Sequence, residues 1–229
     1  MSCAIAIFVK TPGHSPVKSR LWPDIGRDQA ERLHLASATA VASVVARACT
    51  ESALVGYWAT AEAAAGVAAD WPGLEHVEQG EGSLGLRMAT VYSRLLARHA
   101  AAILIGADAP QLESAQLSQA ADWLRSAPDR LVIGRANDGG FWLFGGNREL
   151  PHANWTGVEY SRADTATGFV HAMKDCGDWL ELATLRDIDV AADIAPVRAQ
   201  LHALEQPTPE QIRLGCLLAE MGTRREQRA

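Results

Sequence analysis

Short apolar runs alternate along the chain with longer segments whose apolar residues recur every three or four positions. Ala4–Val9 (AIAIFV) is a continuous apolar run ending near Pro12-Gly13, which predicts a buried strand. Ala30, Leu33, Ser37, Val41, Val44 and Ala48 then form a small-residue stripe that predicts one face of a long helix. Ala53–Trp58 predicts a second strand and Leu74–Val77 a third. After the glycine-rich stretch Gly80–Gly85, a helix carries Leu84, Met88, Val91 and Leu95 on one face. Ala101–Ile105 (AAILI) is the clearest buried strand. A helix with Leu117, Ala121 and Leu124 follows, then strands at Leu131–Ile133 and Phe141–Phe144. Beyond Pro151 the pattern predicts a helix over Ala163–Lys174, a strand over Leu182–Ile188, a helix over Ala191–Leu204 and a last helix from Pro209 to Met221.

This alternation predicts an α/β fold of three layers with a mostly parallel central sheet, since parallel neighbours need crossover helices on the sheet faces. No repeat, low-complexity tract or linker interrupts it. The chain divides into one α/β domain over residues 1–205 and a C-terminal helix with a frayed tail (TRREQRA) over residues 206–229.

Composition narrows the picture. The 229 residues can bury roughly 70–75% of their unfolded surface in one domain. With 48% hydrophobic and 21% charged residues, the chain reads as globular. A net charge of -6 argues against a broad nucleic-acid-binding surface. Locally the balance reverses: Lys10, Lys18, Arg20 and Arg27 face Asp24 alone within the first 27 residues, which suggests a small anionic ligand. Cys3, Cys49, Cys176 and Cys216 form no CxxC pair and read as reduced, mostly buried thiols. No segment reads as the roughly 20 apolar residues of a membrane span, and Ala4–Val9 is too short for a signal-peptide core. The expected compartment is the cytoplasm, with no membrane partner.

In such sheets, ligands bind outside the carboxyl ends of the strands, near a switch in strand order. Four loops are expected at that edge. Phe8–Leu21 (FVKTPGHSPVKSRL) offers Lys10, Lys18 and Arg20 directly after the first strand, suited to phosphate; the alternative is a solvated basic loop. It contains neither GxxxxGK[ST] nor GxGxxG. Gly80–Met88 (GEGSLGLRM) brings backbone amides to a helix start, with Gly82, Ser83 and Arg87 as candidate ligand contacts and plain N-capping by Ser83 as the alternative. Asp108 in IGADAPQL ends the strongest strand and is either a turn residue or a ligand for a hard divalent cation. In Arg186-Asp187-Ile188-Asp189, the two carboxylates at i and i+2 can share one face; Asp189 is a candidate metal contact or a helix cap. Asp138, in Asp138-Gly139-Gly140-Phe141, and Glu159 are candidate proton acceptors, although glycines alone would explain the turn. Trp142 and Trp155 are candidates for packing on a ligand ring. No HExxH or GxSxG is present.

From Ala4 to Leu201, the segments FVKTPGHSPVKSRL, QGEGSLGLRM, LIGADAPQL, NDGGFWLFG and LRDIDVAADI resemble, in order, a bacterial group of GT-A-like proteins. That group is labelled nucleotide-diphospho-sugar transferase or arsenosugar-biosynthesis glycosyltransferase. The resemblance implies a GT-A fold, a nucleotide-diphospho-sugar donor, a small-molecule acceptor and a Mg²⁺ or Mn²⁺ ion. It implies that Lys10, Lys18 and Arg20 face phosphates and that Asp108 and Asp189 contact the metal. The GADAP turn and VKSRL also resemble guanylyltransferase-type nucleotidyltransferases, so an NTP-dependent nucleotidyltransferase is the second reading. Gly82-Ser83-Leu84-Gly85 replaces the group's common GDLG, which keeps a third reading open, a non-catalytic nucleotide-binding protein.

Overall fold

In the computed structural model, which describes residues 2–226, the elements run β1 (Cys3–Val9), α1 (Trp22–Ile25), α2 (Arg27–Glu51), β2 (Leu54–Thr60), α3 (Ala64–Val67) and β3 (Glu75–Glu78). They continue as α4 (Leu84–Leu96), β4 (Ala101–Gly106), α5 (Ser114–Ser126), β5 (Arg130–Ala136), β6 (Phe141–Gly146) and α6 (His152–Thr156). The last are α7 (Thr165–Ala172), β7 (Asp178–Leu185), α8 (Ala191–Ala203) and α9 (Pro209–Glu226).

The seven strands form one sheet in the order β3-β2-β1-β4-β6-β5-β7. Strands β1 to β4 pair in parallel, β6 is antiparallel to both β4 and β5, and β7 pairs in parallel with β5. The chain first builds outward from β1 through β2 and β3, then returns to place β4 on the other side of β1. That reversal opens a crevice between the carboxyl ends of β1 and β4.

Alternation along β1 explains the layers. Ile5, Ile7 and Val9 point into a core shared with Val41 and Val44 of α2 and with Leu117 and Leu124 of α5. Ala4 and Ala6 point the other way, where Tyr92, Phe144, Trp155 and Phe169 cluster. A third cluster joins α2, α8 and α9 through Leu33, Val197, Leu214 and Leu218. Helix α9 continues past Met221 to Glu226, so the first four residues of the tail expected to fray (TRREQRA) are helical; the last three lie outside the described residues.

Several expectations need correction. β7 spans Asp178–Leu185 rather than Leu182–Ile188, because as an edge strand it alternates with polar Glu181 and Thr184 and shows no continuous apolar run. Leu84, expected in the core stripe, is 46% exposed in the first turn of α4. Helix α2 is, by length and composition, long and apolar enough to cross a membrane. Its alanine-rich sequence contributes that hydropathy, and its stripe from Ala30 to Ala48 is buried against the sheet, α5 and α9. Of the cysteines, Cys3 is buried, Cys49 and Cys176 are half-buried, and Cys216 is exposed on α9; all four are free.

Candidate active site

The loop after β1 is pinned at its start. Thr11 donates its N–H (3.1 Å) and hydroxyl (2.9 Å) to Glu62, and Trp71 Nε1 donates to Thr11 Oγ1 (2.9 Å). His34 Nε2 meets the carbonyl of Lys10 at 2.8 Å. The loop's far end anchors through buried Leu21. Between these anchors Lys18 takes a left-handed conformation (φ 48°), uncommon for a residue with a side chain. Its ammonium turns inward and its side chain is only 4% exposed.

There Lys18 donates to the Ile188 carbonyl and pairs with Asp108 Oδ1 at 2.8 Å and Asp189 Oδ1 at 3.3 Å. Burial alone would lower the ammonium pKa, but the two carboxylates outweigh it and hold it above its ordinary value. Burial likewise opposes ionisation of Asp108, and Lys18 outweighs it, holding that carboxyl below its ordinary value. Lys18 therefore ties the β1 loop to the ends of both β4 and β7. Two further bonds hold those ends together: Ile188 N–H to the Asp108 carbonyl (3.0 Å) and Gln111 Nε2 to the Arg186 carbonyl (2.7 Å).

Asp189 does not cap α8. Asp193, at the third position of that helix, reaches back to accept from the N–H groups of Asp189 (3.0 Å) and Val190 (2.9 Å), and Arg186 holds its other oxygen at 3.0 Å. The Asp189 carboxylate is thus directed to the cleft, where Arg20, 67% exposed, also pairs with it at 3.4 Å.

Asp138 enters from the turn between β5 and β6, where its Oδ1 accepts from Gly140 N–H at 2.8 Å. Gly139 has φ +90°, and a Cβ there would lie 1.9 Å from the Ala163 carbonyl oxygen. Its own carbonyl accepts from Ala166 N–H at 2.8 Å, so the turn is fastened to the start of α7.

Carboxylate oxygens of Asp138, Asp187 and Asp189 lie within 4.8 Å of one another. The Asp187 carboxyl is pushed up to about 6, first by burial and then by repulsion from Asp138, Asp189 and Asp108. Three converging hard oxygen donors whose mutual repulsion a cation would relieve fit a divalent metal ion.

Three adjoining cavities share these groups. The first, about 330 Å³, is lined by Lys10, Lys18, Arg20, His34 and Gln79. The second, about 370 Å³, runs under Leu84, Met88, Phe141, Trp142 and Tyr160. The third, about 610 Å³, lies beside Arg135 and Arg186. Asp108 lines the first two, Asp138 and Asp187 the last two, and Asp189 all three.

The structure thus brings Lys10, Lys18, Arg20, Asp108, Asp138 and Asp189 to one cleft. Gly82, Ser83 and Arg87 lie outside all three cavity linings: Ser83 Oγ accepts from Leu86 N–H (3.4 Å), and Arg87 Nε donates to the Gly82 carbonyl (3.0 Å). Of the two tryptophans, Trp142 lines the second cavity, while Trp155 is core at 1% exposure. Glu159 sits outside the cavities, paired with Arg162 at 3.0 Å. Asp187 was visible as half of an i, i+2 pair but not as a site residue. Gln79 opens the segment QGEGSLGLRM but was not singled out as a site residue; its amide bonds the carbonyls of Val9 (3.1 Å) and Ala59 (2.9 Å).

The likeness to solved structures spans nearly the whole chain. A protein from Desulfovibrio desulfuricans G20, provisionally designated a nucleotide-diphospho-sugar transferase, matches with 22% identity and a TM-score of 0.84 over 99% of this chain and 98% of that one. A nucleotidyl transferase from Methanothermobacter thermautotroptrophicus matches with 14% identity and a TM-score of 0.60, over 89% and 99% of the two chains. CMP:2-keto-3-deoxy-manno-octonic acid synthetase complexed with CTP matches with 13% identity and a TM-score of 0.52, over 88% and 99%. At these identities the likeness establishes a nucleotide-diphospho-sugar transferase-like fold. No curated protein matches the chain. The model of a family described as "Uncharacterized protein conserved in bacteria (DUF2064)" covers residues 23–162, more than half of the chain, and the chain belongs to that family.

Proposed function

We propose that the protein is a transferase that takes a nucleotide-diphospho-sugar as donor and moves its glycosyl group to a small-molecule acceptor. The observation that carries this reading is the junction of a basic cavity (Lys10, Lys18, Arg20) with the carboxylates of Asp138, Asp187 and Asp189 at the strand-order switch. Lys10 and Arg20 border open cavity and are the cations offered to a diphosphate. Lys18, already bonded to three acceptors, positions Asp108 and Asp189.

A Mg²⁺ or Mn²⁺ ion held by Asp138, Asp187 and Asp189, with Asp108 lending a further carboxylate nearby, would stabilise negative charge on the leaving diphosphate. In the transfer the acceptor hydroxyl oxygen bonds to the anomeric carbon, the bond from that carbon to the diphosphate oxygen breaks, and its electron pair leaves with the nucleoside diphosphate. The acceptor proton passes to solvent water at the cleft, because Asp138, Asp187 and Asp189 are committed to the ion.

The GADAP turn favours a second reading, nucleotidyl transfer, in which an acceptor oxygen attacks the α-phosphate of an NTP. Product analysis separates the two. Incubation with nucleotide sugars, Mn²⁺ and an acceptor panel is expected to release nucleoside diphosphate; release of pyrophosphate from NTP, with none from nucleotide sugars, would overturn the glycosyl reading in favour of the second.

A further inference from the structure

We infer that the second cavity takes the acceptor, and that the acceptor is an alcohol with an apolar, ring-sized body rather than a sugar or other polyol. The acceptor's role rests on the transfer reading above; the chemistry of the cavity does not.

One side of the cavity wall is carbon. Phe8, Leu84, Met88, Phe141, Trp142 and Tyr160 border about 370 Å³, a volume suited to a small organic ligand. On that side the polar groups of Trp142, Tyr160, Thr165 and Arg162 bond within the protein. Trp142 Nε1 donates to the Ala183 carbonyl (3.1 Å), and Tyr160 Oη donates to the Trp155 carbonyl (2.8 Å). Thr165 Oγ1 donates to the Glu159 carbonyl (3.0 Å) and accepts from Arg162 N–H (3.0 Å). The Arg162 guanidinium bridges Glu159 (3.0 Å) and Asp164 (3.3 Å). Ser161 contributes an exposed hydroxyl at the rim.

A polyol bears a hydroxyl on nearly every carbon, and each one placed against this wall would exchange water for no partner, which is unfavourable. A ring or short chain loses nothing there and gains from burial. Polarity returns at the other end, where Asp108, Asp138, Asp187 and Asp189 line the same cavity and where the reacting hydroxyl would lie. Leu84 supports the assignment independently. It is a large apolar side chain, 46% exposed, on the wall shared with the basic cavity, where a ligand would cover it.

The test uses phenethyl alcohol and glucose as probes, with UDP, GDP and Mn²⁺ titrated into the same samples. Methyl signals of the methionines, labelled with ¹³C, report location: Met88 lines the cavity, whereas Met173, fully buried in the same core cluster, is no part of the lining. Phenethyl alcohol is expected to shift the Met88 signal and leave Met173 unchanged, while glucose at equal concentration shifts neither. Leu84→Asn, at an exposed position the fold tolerates, should weaken phenethyl alcohol binding by about fivefold or more. Glucose moving Met88 as strongly as the alcohol does, or unchanged alcohol binding by Leu84→Asn, would overturn the inference. If diphosphate binds with Mn²⁺ but the alcohol does not bind, the apolar assignment falls and the transfer reading stands. If the alcohol binds and no nucleotide does, the apolar cavity stands and the transfer reading falls.

Discussion

At the scale of single residues, Lys18 and Asp187 are opposite electrostatic cases within one cleft. Lys18 is a buried cation serving two carboxylates, so removing it strands like charges. Lys18→Met should destabilise the fold by roughly 2–3 kcal/mol at neutral pH, less than for a fully enclosed pair because Asp108 is 40% exposed. The sign with pH follows from Asp108: its depressed pKa contributes stability above the unfolded value of 3.8 that is lost as pH falls through the lower folded value. The gap between wild type and Lys18→Met in urea denaturation should therefore narrow in acid; a gap independent of pH would argue against the ion pair. For Asp187 the sign reverses. Its carboxyl is raised to about 6, so its ionisation burdens the fold fully above that pH and not at all below 3.8. Asp187→Asn should melt higher than wild type at neutral pH and equally in acid, and Mn²⁺ should raise the wild-type melting temperature more than that of the variant. The basic loop and the carboxylates were legible as residue types. That Lys18 is spent on Asp108 and Asp189 was not, because those partners lie 90 and 171 positions away.

At the scale of elements, the interior strands were legible because both faces of β1 and β4 are buried and leave continuous apolar runs. Edge strands β3 and β7 alternate with polar residues, and helices of four or five residues such as α1, α3 and α6 show too little period to read. The turn Asn137–Gly140 could be read as a turn, but its fastening to α7 could not. That fastening gives a prediction. Gly139→Ala combines a positive φ with a Cβ 1.9 Å from the Ala163 oxygen, and should cost about 2–4 kcal/mol in urea unfolding. The same change should displace Asp138 and weaken Mn²⁺ binding under conditions where the variant remains folded. A neutral substitution would mean that the turn and α7 are not coupled. Ser83 is a simpler element-level residue: it caps α4, so Ser83→Asp should change stability by less than about 0.5 kcal/mol.

At the scale of the whole molecule, function depends on which strands become neighbours, and local periodicity does not encode that. The sequence pattern called for a mostly parallel sheet. The placement of β4 beside β1, with β7 carrying Asp187 and Asp189 round to the same edge, is a tertiary outcome. It makes Asp189 the one carboxylate common to all three cavities, between the cations offered to a diphosphate and the wall offered to an acceptor. The central claim is that this junction binds a nucleoside diphosphate through a divalent cation. The direct test is calorimetric titration of UDP, GDP, uridine and guanosine into wild type and Asp189→Asn, each with and without Mn²⁺. At least one diphosphate should bind wild type with Mn²⁺ and weaken by about tenfold or more when either the cation or the Asp189 carboxylate is removed, while its nucleoside changes little. Diphosphate binding that is equally tight without Mn²⁺ and in Asp189→Asn would contradict the account.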